Sequence, residues 1–271
     1  MINNKHLNYT FLNKLLAKNF TRFFPKTLNR KIFRKYRIFF VPTKLDSLPK
    51  NYYPISTNLN DQKNFVYEYN KKKKLINETT KKNLDKFLFK IFGKSNFSFL
   101  DVGGDNIDLY LHLNRKLNIK KYFIYNFQDL IILFNKIKRI FNFKNLFPLK
   151  DIYSMKDIDF VYFGSCIQYF KNYKEFLKSI TKKKPKYILF SGTSFFYDKI
   201  VKDKIIVKQT NILPNTIFLF FFNFHLFIKL MDSYGYKLVF FEKNKTAKVN
   251  YKNFSYLLKK VEYLDILFIK K

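Results

Sequence analysis

The stretch Ser98–Leu113, "SFLDVGGDNIDLYLHL", sets an apolar run against an acid, a pair of glycines and then a second apolar run at helical spacing. Strand-like residues before the glycines and helix-period residues after them predict a strand, a tight turn and a helix. Adjacent glycines let the backbone take φ > 0 or approach another group closely. A dinucleotide turn of the G-x-G-x-x-G kind would place a pyrophosphate at that helix start. Here Asp105 and Ile107 stand where small residues would be expected, and three acids, Asp101, Asp105 and Asp108, surround the turn. Negative side chains beside a pyrophosphate repel it, so nicotinamide and flavin dinucleotides are disfavoured. The sequence also lacks a P-loop, which removes the usual ATP or GTP site.

Outward from this turn, short apolar runs alternate with helical segments. The strand-like runs are "FSFLDV" (97–102), "KYFIYN" (121–126), "DFVYFG" (159–164) and "KYILFS" (186–191). Near-continuous apolar strands separated by helices imply a mainly parallel sheet with helices on both faces. A helix around Phe224–Ser233, a turn at Gly235 and strands at 236–241 and 262–269 close the chain. With no helical crossover between them, the last two strands are expected to form an antiparallel hairpin at the sheet edge. Of the six glycines, Gly103, Gly104, Gly164 and Gly192 fall at the C-terminal ends of these strands. In open α/β sheets, ligands bind in the crevice outside those ends.

The N-terminal third reads differently. Its first acid is Asp46, and Leu7, Phe11, Leu12, Leu15, Leu16 and Phe20 recur at helical spacing, with Lys14 and Lys18 between them. Such a basic amphipathic helix either lies against the anionic inner face of a membrane or packs on the main domain. Residues 42–64, with Pro42, Pro49 and Pro54, read as an irregular connector, and "KKKK" at Lys71–Lys74 opens a helical stretch to about Phe92. The expected division is an extension over 1–64 and an α/β domain over 65–271.

With 271 residues and 47% hydrophobic composition, the chain can bury a sizeable core. The formal charge of +34 invites a polyanion partner, but the chain has six arginines among 53 basic residues and no tryptophan. Phosphate-binding faces favour arginine forks, so an ordinary lysine-rich surface is the competing reading. A single cysteine excludes an internal disulfide framework, and three scattered histidines offer no metal cluster. Together with the absence of a continuous apolar N-terminal core, this points to a reducing cytoplasm. The longest apolar run, Thr216–Met231, is broken by Asn223, His225 and Lys229 and is too short to span a bilayer.

S-adenosylmethionine carries a sulfonium, an ammonium and one carboxylate, with no phosphate. Acids beside the glycine turn suit it better than they suit a dinucleotide. From Phe97 onward the chain resembles class I S-adenosylmethionine-dependent methyltransferases, with "FLDVGG" matching their first motif. More narrowly it resembles a bacterial methyltransferase family found among surface-polysaccharide biosynthesis genes. The segments that carry this likeness are "DVGG" (101–104), "DFVYFGSCIQYF" (159–170), "PKYILFSGTSFF" (185–196), "VKQTNILP" (207–214) and "FHLFIKLMDSYGYKLV" (224–239). The resemblance implies a Rossmann-like class I methyltransferase fold: a mainly parallel seven-stranded sheet with an antiparallel final hairpin and helices on both faces.

The resemblance further implies that Asp101, Gly103, Gly104 and Asp105 form the cofactor turn. Asn126, where the superfamily usually has Asp or Glu, would reach the ribose hydroxyls, with Asp151 on the adenine side. Ser191 and Gly192 replace an acid–arginine pair of the narrower family. Ser165, Gln168 and Tyr169 follow "DFVYFG" and are expected to face the methyl group, Ser165 as a cofactor contact. Methyl transfer to oxygen needs a base near the acceptor, and His225, at a helix start, is the candidate. Cys166 lacks the Pro-Cys context of RNA cytosine methyltransferases and reads as a small buried hydrophobe. The Asn/Asp-Pro-Pro-aromatic motif of enzymes that methylate base amino groups is absent too, which weighs against nucleic acid. Two readings result. One is an enzyme that O-methylates a sugar or glycan precursor; the other is a catalytically degenerate relative that binds anionic membrane or RNA.

Overall fold

The computed structural model describes residues 38–40, 58–72, 78–197, 202–212, 215–244 and 261–271. Along the chain come β1 (Ile38–Phe40), α1 (Leu59–Lys72), α2 (Glu78–Phe92), β2 (Phe97–Val102), α3 (Asp108–Lys116), β3 (Ile119–Tyr125), α4 (Gln128–Ile140) and β4 (Leu146–Leu149). Then follow β5 (Phe160–Gly164), α5 (Tyr173–Lys182), β6 (Tyr187–Phe196), β7 (Lys204–Ile212), β8 (Asn215–Asn223), α6 (Phe224–Ser233), β9 (Tyr236–Lys243) and β10 (Val261–Lys270). The N-terminal amphipathic helix expected over Leu7–Phe20 lies outside the described residues.

Every residue of β2 is buried, because its apolar side chains occupy both faces of the sheet. Phe97 and Phe99 pack with residues of α1 to α4 on one face, while Leu100 and Val102 pack with α5 and α6 on the other. Both faces are therefore covered by helices, as a parallel sheet requires. β4, β3, β2, β5 and β6 run parallel in that order. β10 then pairs antiparallel with β6, and β9 pairs antiparallel with β10. Six of these seven strands lie where the sequence placed them, β4 was not located there, and β9 with β10 forms the antiparallel hairpin expected at the sheet edge.

Three strands were not anticipated as part of the sheet. β6 does not stop at Ser191 but runs to Phe196, past the end of β5, whose last residue Gly164 pairs with Ser191. Beyond that level β8 takes the place beside β6, pairing at Phe195 and Phe196, and β7 and β1 follow outward. The sheet therefore has ten strands among the described residues, not seven. The apolar run Thr216–Met231 divides into β8 and α6 at Asn223, whose side chain accepts from the Leu226 amide at 3.2 Å and caps the helix.

The connector expected over 42–64 ends sooner than its composition suggests. Asn58 and Asp61 cap α1 reciprocally: each side chain accepts from the other's amide at 3.0 Å. Lys71 and Lys72 end α1 rather than opening a helix, and the next helix starts at Glu78. No helix among the described residues is long and apolar enough to cross a membrane.

Candidate active site

The glycine turn opens directly from β2. Gly103 takes φ +78°, and its amide donates to the Tyr125 carbonyl at the end of β3 at 2.8 Å. A side-chain carbon there would fall 2.5 Å from Cys166 Cβ, so the turn can pack against the β5 loop only as glycine. Gly104 is fixed by a different contact. A Cβ at Gly104 would lie 2.4 Å from Asp101 Oδ2. The Asp101 carboxylate thus folds back under its own turn, buried at 2% exposure, and accepts from the Tyr122 hydroxyl at 2.9 Å.

Burial and the Asp101 charge push the Tyr122 hydroxyl well above its ordinary pKa, with Asp108 adding to the shift. Tyr162, from β5, is raised by burial and by Asp101 in the same way. Asp108 is also buried, at the start of α3. Two carboxylates thus lie buried beneath the glycine turn, and the tyrosines beside them stay protonated.

Gln62, fully buried in α1, reaches across to the turn. Its Oε1 accepts from the Ile107 amide at 3.0 Å, and its Nε2 donates to the Asp105 carbonyl at 3.4 Å. The free amide that precedes α3, where an anion would otherwise sit, is taken by this side chain. Asp105 itself is exposed and accepts from the Asn106 side chain at 2.9 Å. Asn126 donates to the Gly104 carbonyl at 2.6 Å and accepts from the Phe127 amide at 2.7 Å. Its amide thereby ties the turn to the end of β3.

On the other side of β2, the β5 loop is built around a left-handed residue. Ser165 has φ +55° and is exposed. Its amide and hydroxyl both donate to the Ser191 carbonyl, at 2.8 and 3.3 Å. Gly192 opposite it has φ +60°, and a Cβ there would lie 2.2 Å from Ser165 Oγ. Asp265 of β10 accepts on a single oxygen from Ser191 Oγ, the Gly192 amide and Asn244 Nδ2, at 2.8, 2.7 and 2.8 Å.

The structure gathers Asp101, Gly103, Gly104, Asp105, Asn126 and Ser165 at the C-terminal ends of β2, β3 and β5. Gln168 follows them but points inward. It is 1% exposed, and its amide donates to the Ser165 carbonyl at 2.9 Å and the Gly192 carbonyl at 3.5 Å, so it holds the loop rather than facing outward. Tyr169 is half-buried against an apolar cluster that includes Phe196 and Phe221. Asp151 stands just past β4, where its carboxylate accepts from the amides of Tyr153 and Ser154 and closes its own turn. Cys166 is buried; its thiol donates to the Val102 carbonyl at 3.0 Å, and burial pushes it well above its ordinary pKa.

His225 is not brought to this group. It is exposed, two residues beyond Asn223, which pairs with Phe196. The four strand steps of β6 from Gly192 to Phe196 set the level of Asn223 about 13 Å from that of Gly192, which packs on Ser165, at ~3.3 Å per residue. The contacts of His225 are the rings of Phe224 and Tyr197. Three residues that shape the site had not been singled out from the sequence: Gln62, Tyr122 and Asp265.

No family model matches the chain, and no curated protein matches it in sequence. Solved structures do match. The [4+2]-cyclase SpnF is 9% identical, with 69% of this chain and 80% of that chain covered, at a TM-score of 0.50. The fold is Rossmann-like. Burkholderia thailandensis 1,6-didemethyltoxoflavin-N1-methyltransferase, solved with 1,6-didemethyltoxoflavin and S-adenosylhomocysteine, is 12% identical over 85% of this chain and 98% of that chain, at a TM-score of 0.49. A S-adenosylmethionine-dependent methyltransferase from Clostridium acetobutylicum is 11% identical over 79% of this chain and 99% of that chain, at 0.47. At these identities the Rossmann-like likeness speaks to architecture and leaves activity to the residues of the site.

Proposed function

We propose that this chain is an S-adenosylmethionine-dependent methyltransferase that O-methylates a sugar or surface-glycan precursor. One observation carries the choice of cofactor. The amide before α3 that a pyrophosphate would use is filled by Gln62 Oε1, with Asp101 and Asp108 buried behind the turn and Asp105 exposed on it. This chemistry suits a ligand with an ammonium and a sulfonium and repels one with phosphates.

The residues present fit that cofactor. Asp101, Gly103 and Gly104 would form its floor, Asp105 lies within reach of a cationic group at the mouth, and Asn126 keeps a lone pair for a ribose hydroxyl. When bound, S-adenosylmethionine supplies a methyl group on a sulfonium, open to attack by an oxygen nucleophile. Gly104 keeps the turn free of a side chain where the Asp101 carboxylate folds back, so the backbone there stays open to close approach. Ser165 is exposed just past β5 and Tyr169 is half-buried on the cluster around Phe196, and together they would orient a sugar hydroxyl for in-line attack. The β8–β7–β1 strands rise beyond that end and would wall the acceptor side.

Calorimetry with S-adenosylhomocysteine tests the reading. Binding at micromolar concentration that Asp101→Ala abolishes is expected. Absence of binding by the wild-type chain at high micromolar ligand would sink it, and would favour the alternative of a methyltransferase-like fold that binds an anionic surface.

A further inference from the structure

We propose that Asp265 is a positioning residue of this site, holding Ser165 in its left-handed conformation through the single peptide between Ser191 and Gly192. The consequence for catalysis rests on the methyltransferase reading above; the effect on Ser165 does not.

The pairing of β6 with β10 skips a residue here. Leu264 lies opposite Thr193 and Ile266 opposite Phe190, so Asp265 alone faces both Ser191 and Gly192. This is a β-bulge with a left-handed glycine, a device that re-aims a strand and breaks its ladder. The bulge frees the Gly192 amide from ordinary strand pairing, and Asp265 takes it at 2.7 Å. The same carboxylate oxygen takes Ser191 Oγ at 2.8 Å and Asn244 Nδ2 at 2.8 Å, so donors from β6 and from the loop after β9 fix it in place.

The peptide whose N–H points to Asp265 has its carbonyl on Ser191. That carbonyl accepts both the amide of Ser165 at 2.8 Å and its hydroxyl at 3.3 Å. One peptide plane thus joins a carboxylate on β10 to the exposed serine at the end of β5. Hydrogen bonds in series polarise one another, so the charge at one end strengthens the bond at the other. Ser165 needs such support: a non-glycine residue at φ +55° persists only where its surroundings over-determine it. Gly192 completes the arrangement, because any side chain there would strike Ser165 Oγ. Gln168, which donates to the carbonyls of both Ser165 and Gly192, braces the loop from behind.

Amide hydrogen exchange on the wild-type chain, Asp265→Ala and Asp265→Asn tests the coupling. Asp265→Ala is expected to speed exchange at Gly192 and at Ser165 by tenfold or more, leaving Leu100 and Phe163 in the core unchanged. Asp265→Asn, which keeps an acceptor oxygen but loses the charge, should speed exchange at both amides by a smaller factor. A Ser165 amide that exchanges at the wild-type rate in a folded Asp265→Ala chain would overturn the proposal. If the alanine variant does not fold, Asp265→Asn decides it: faster exchange at both amides supports the coupling, and unchanged Ser165 refutes it. A second readout follows turnover. Asp265→Asn should bind S-adenosylhomocysteine within twofold of wild type while kcat falls about tenfold, and an unchanged kcat counts against the role. A wild-type chain that binds no S-adenosylhomocysteine would defeat the methyltransferase reading alone, since the exchange comparison still decides what Asp265 does to Ser165.

Discussion

Asn126 donates its side-chain amide to the carbonyl of Gly104 at 2.6 Å, joining the end of β3 to the turn that follows β2. Replacing it with aspartate would supply the charge that the methyltransferase resemblance implies at this position, but it would set two acceptors against each other. Asn126→Asp is therefore expected to weaken S-adenosylhomocysteine binding, by roughly 1–3 kcal/mol for the lost donor. Calorimetry on the two proteins checks this. Tighter binding by the aspartate variant would show that the turn holds its shape without the bond.

Gly104 has no positive φ to accommodate, so its need for glycine is purely steric. Gly104→Ala drives a methyl group against Asp101 Oδ2, and overpacking of this kind costs about 1–3 kcal/mol. Thermal unfolding should shift down by several degrees and ligand affinity should fall with it. An alanine variant that binds as wild type would mean that Asp101 swings aside freely.

Away from the site, Asp85 of α2 is buried beside His112 Nε2, at 3.1 Å, and is paired with Lys116. Burial alone would raise its pKa, but Lys116, the Lys86 amide and His112 outweigh it and hold the carboxyl below the ordinary 3.8. A depressed folded value adds stability above the unfolded pKa, and that stability drains away as pH falls through the folded one. Denaturant titrations should show wild-type stability dropping below about pH 4, with a shallower drop in Asp85→Asn. Parallel pH profiles would exclude the pair as an acid-sensitive element.

Cys166 offers a probe of the turn itself. Its thiol is buried and raised well above the ordinary range, so thiol reagents at pH 8 should modify the native chain at least a hundredfold more slowly than the unfolded one. Rapid labelling of the native chain would mean that the contact between Gly103 and the β5 loop opens readily.

Some of this was readable in the sequence. β2 coincides with its apolar run because residues of both parities are apolar and the strand is covered on both sides. The end of β6 was not, because "GTSFF" after Ser191 reads as small, polar residues leaving a strand. Gly192 is instead a bulge, and the strand continues between β10 and β8. The start of α1 was signalled by Asn58 and Asp61 at capping spacing, a cue masked by the prolines before it. Asp265, a lone acid inside "EYLDILFI", was also visible as an anomaly. Nothing local announced Gln62, since its partners lie 43 and 45 residues away.

That last contact changes where the cofactor fold begins. The turn after β2 is finished by a side chain that precedes the first strand of the parallel set by two helices. A chain cut back to residue 65 would retain β2 to β10, the acids and both glycines, yet leave the Ile107 amide without its Gln62 partner. Such a truncation should exchange its Ile107 amide proton faster than the full chain does, while the retained acids still disfavour phosphate. On the methyltransferase reading, the cofactor turn is completed by the segment upstream.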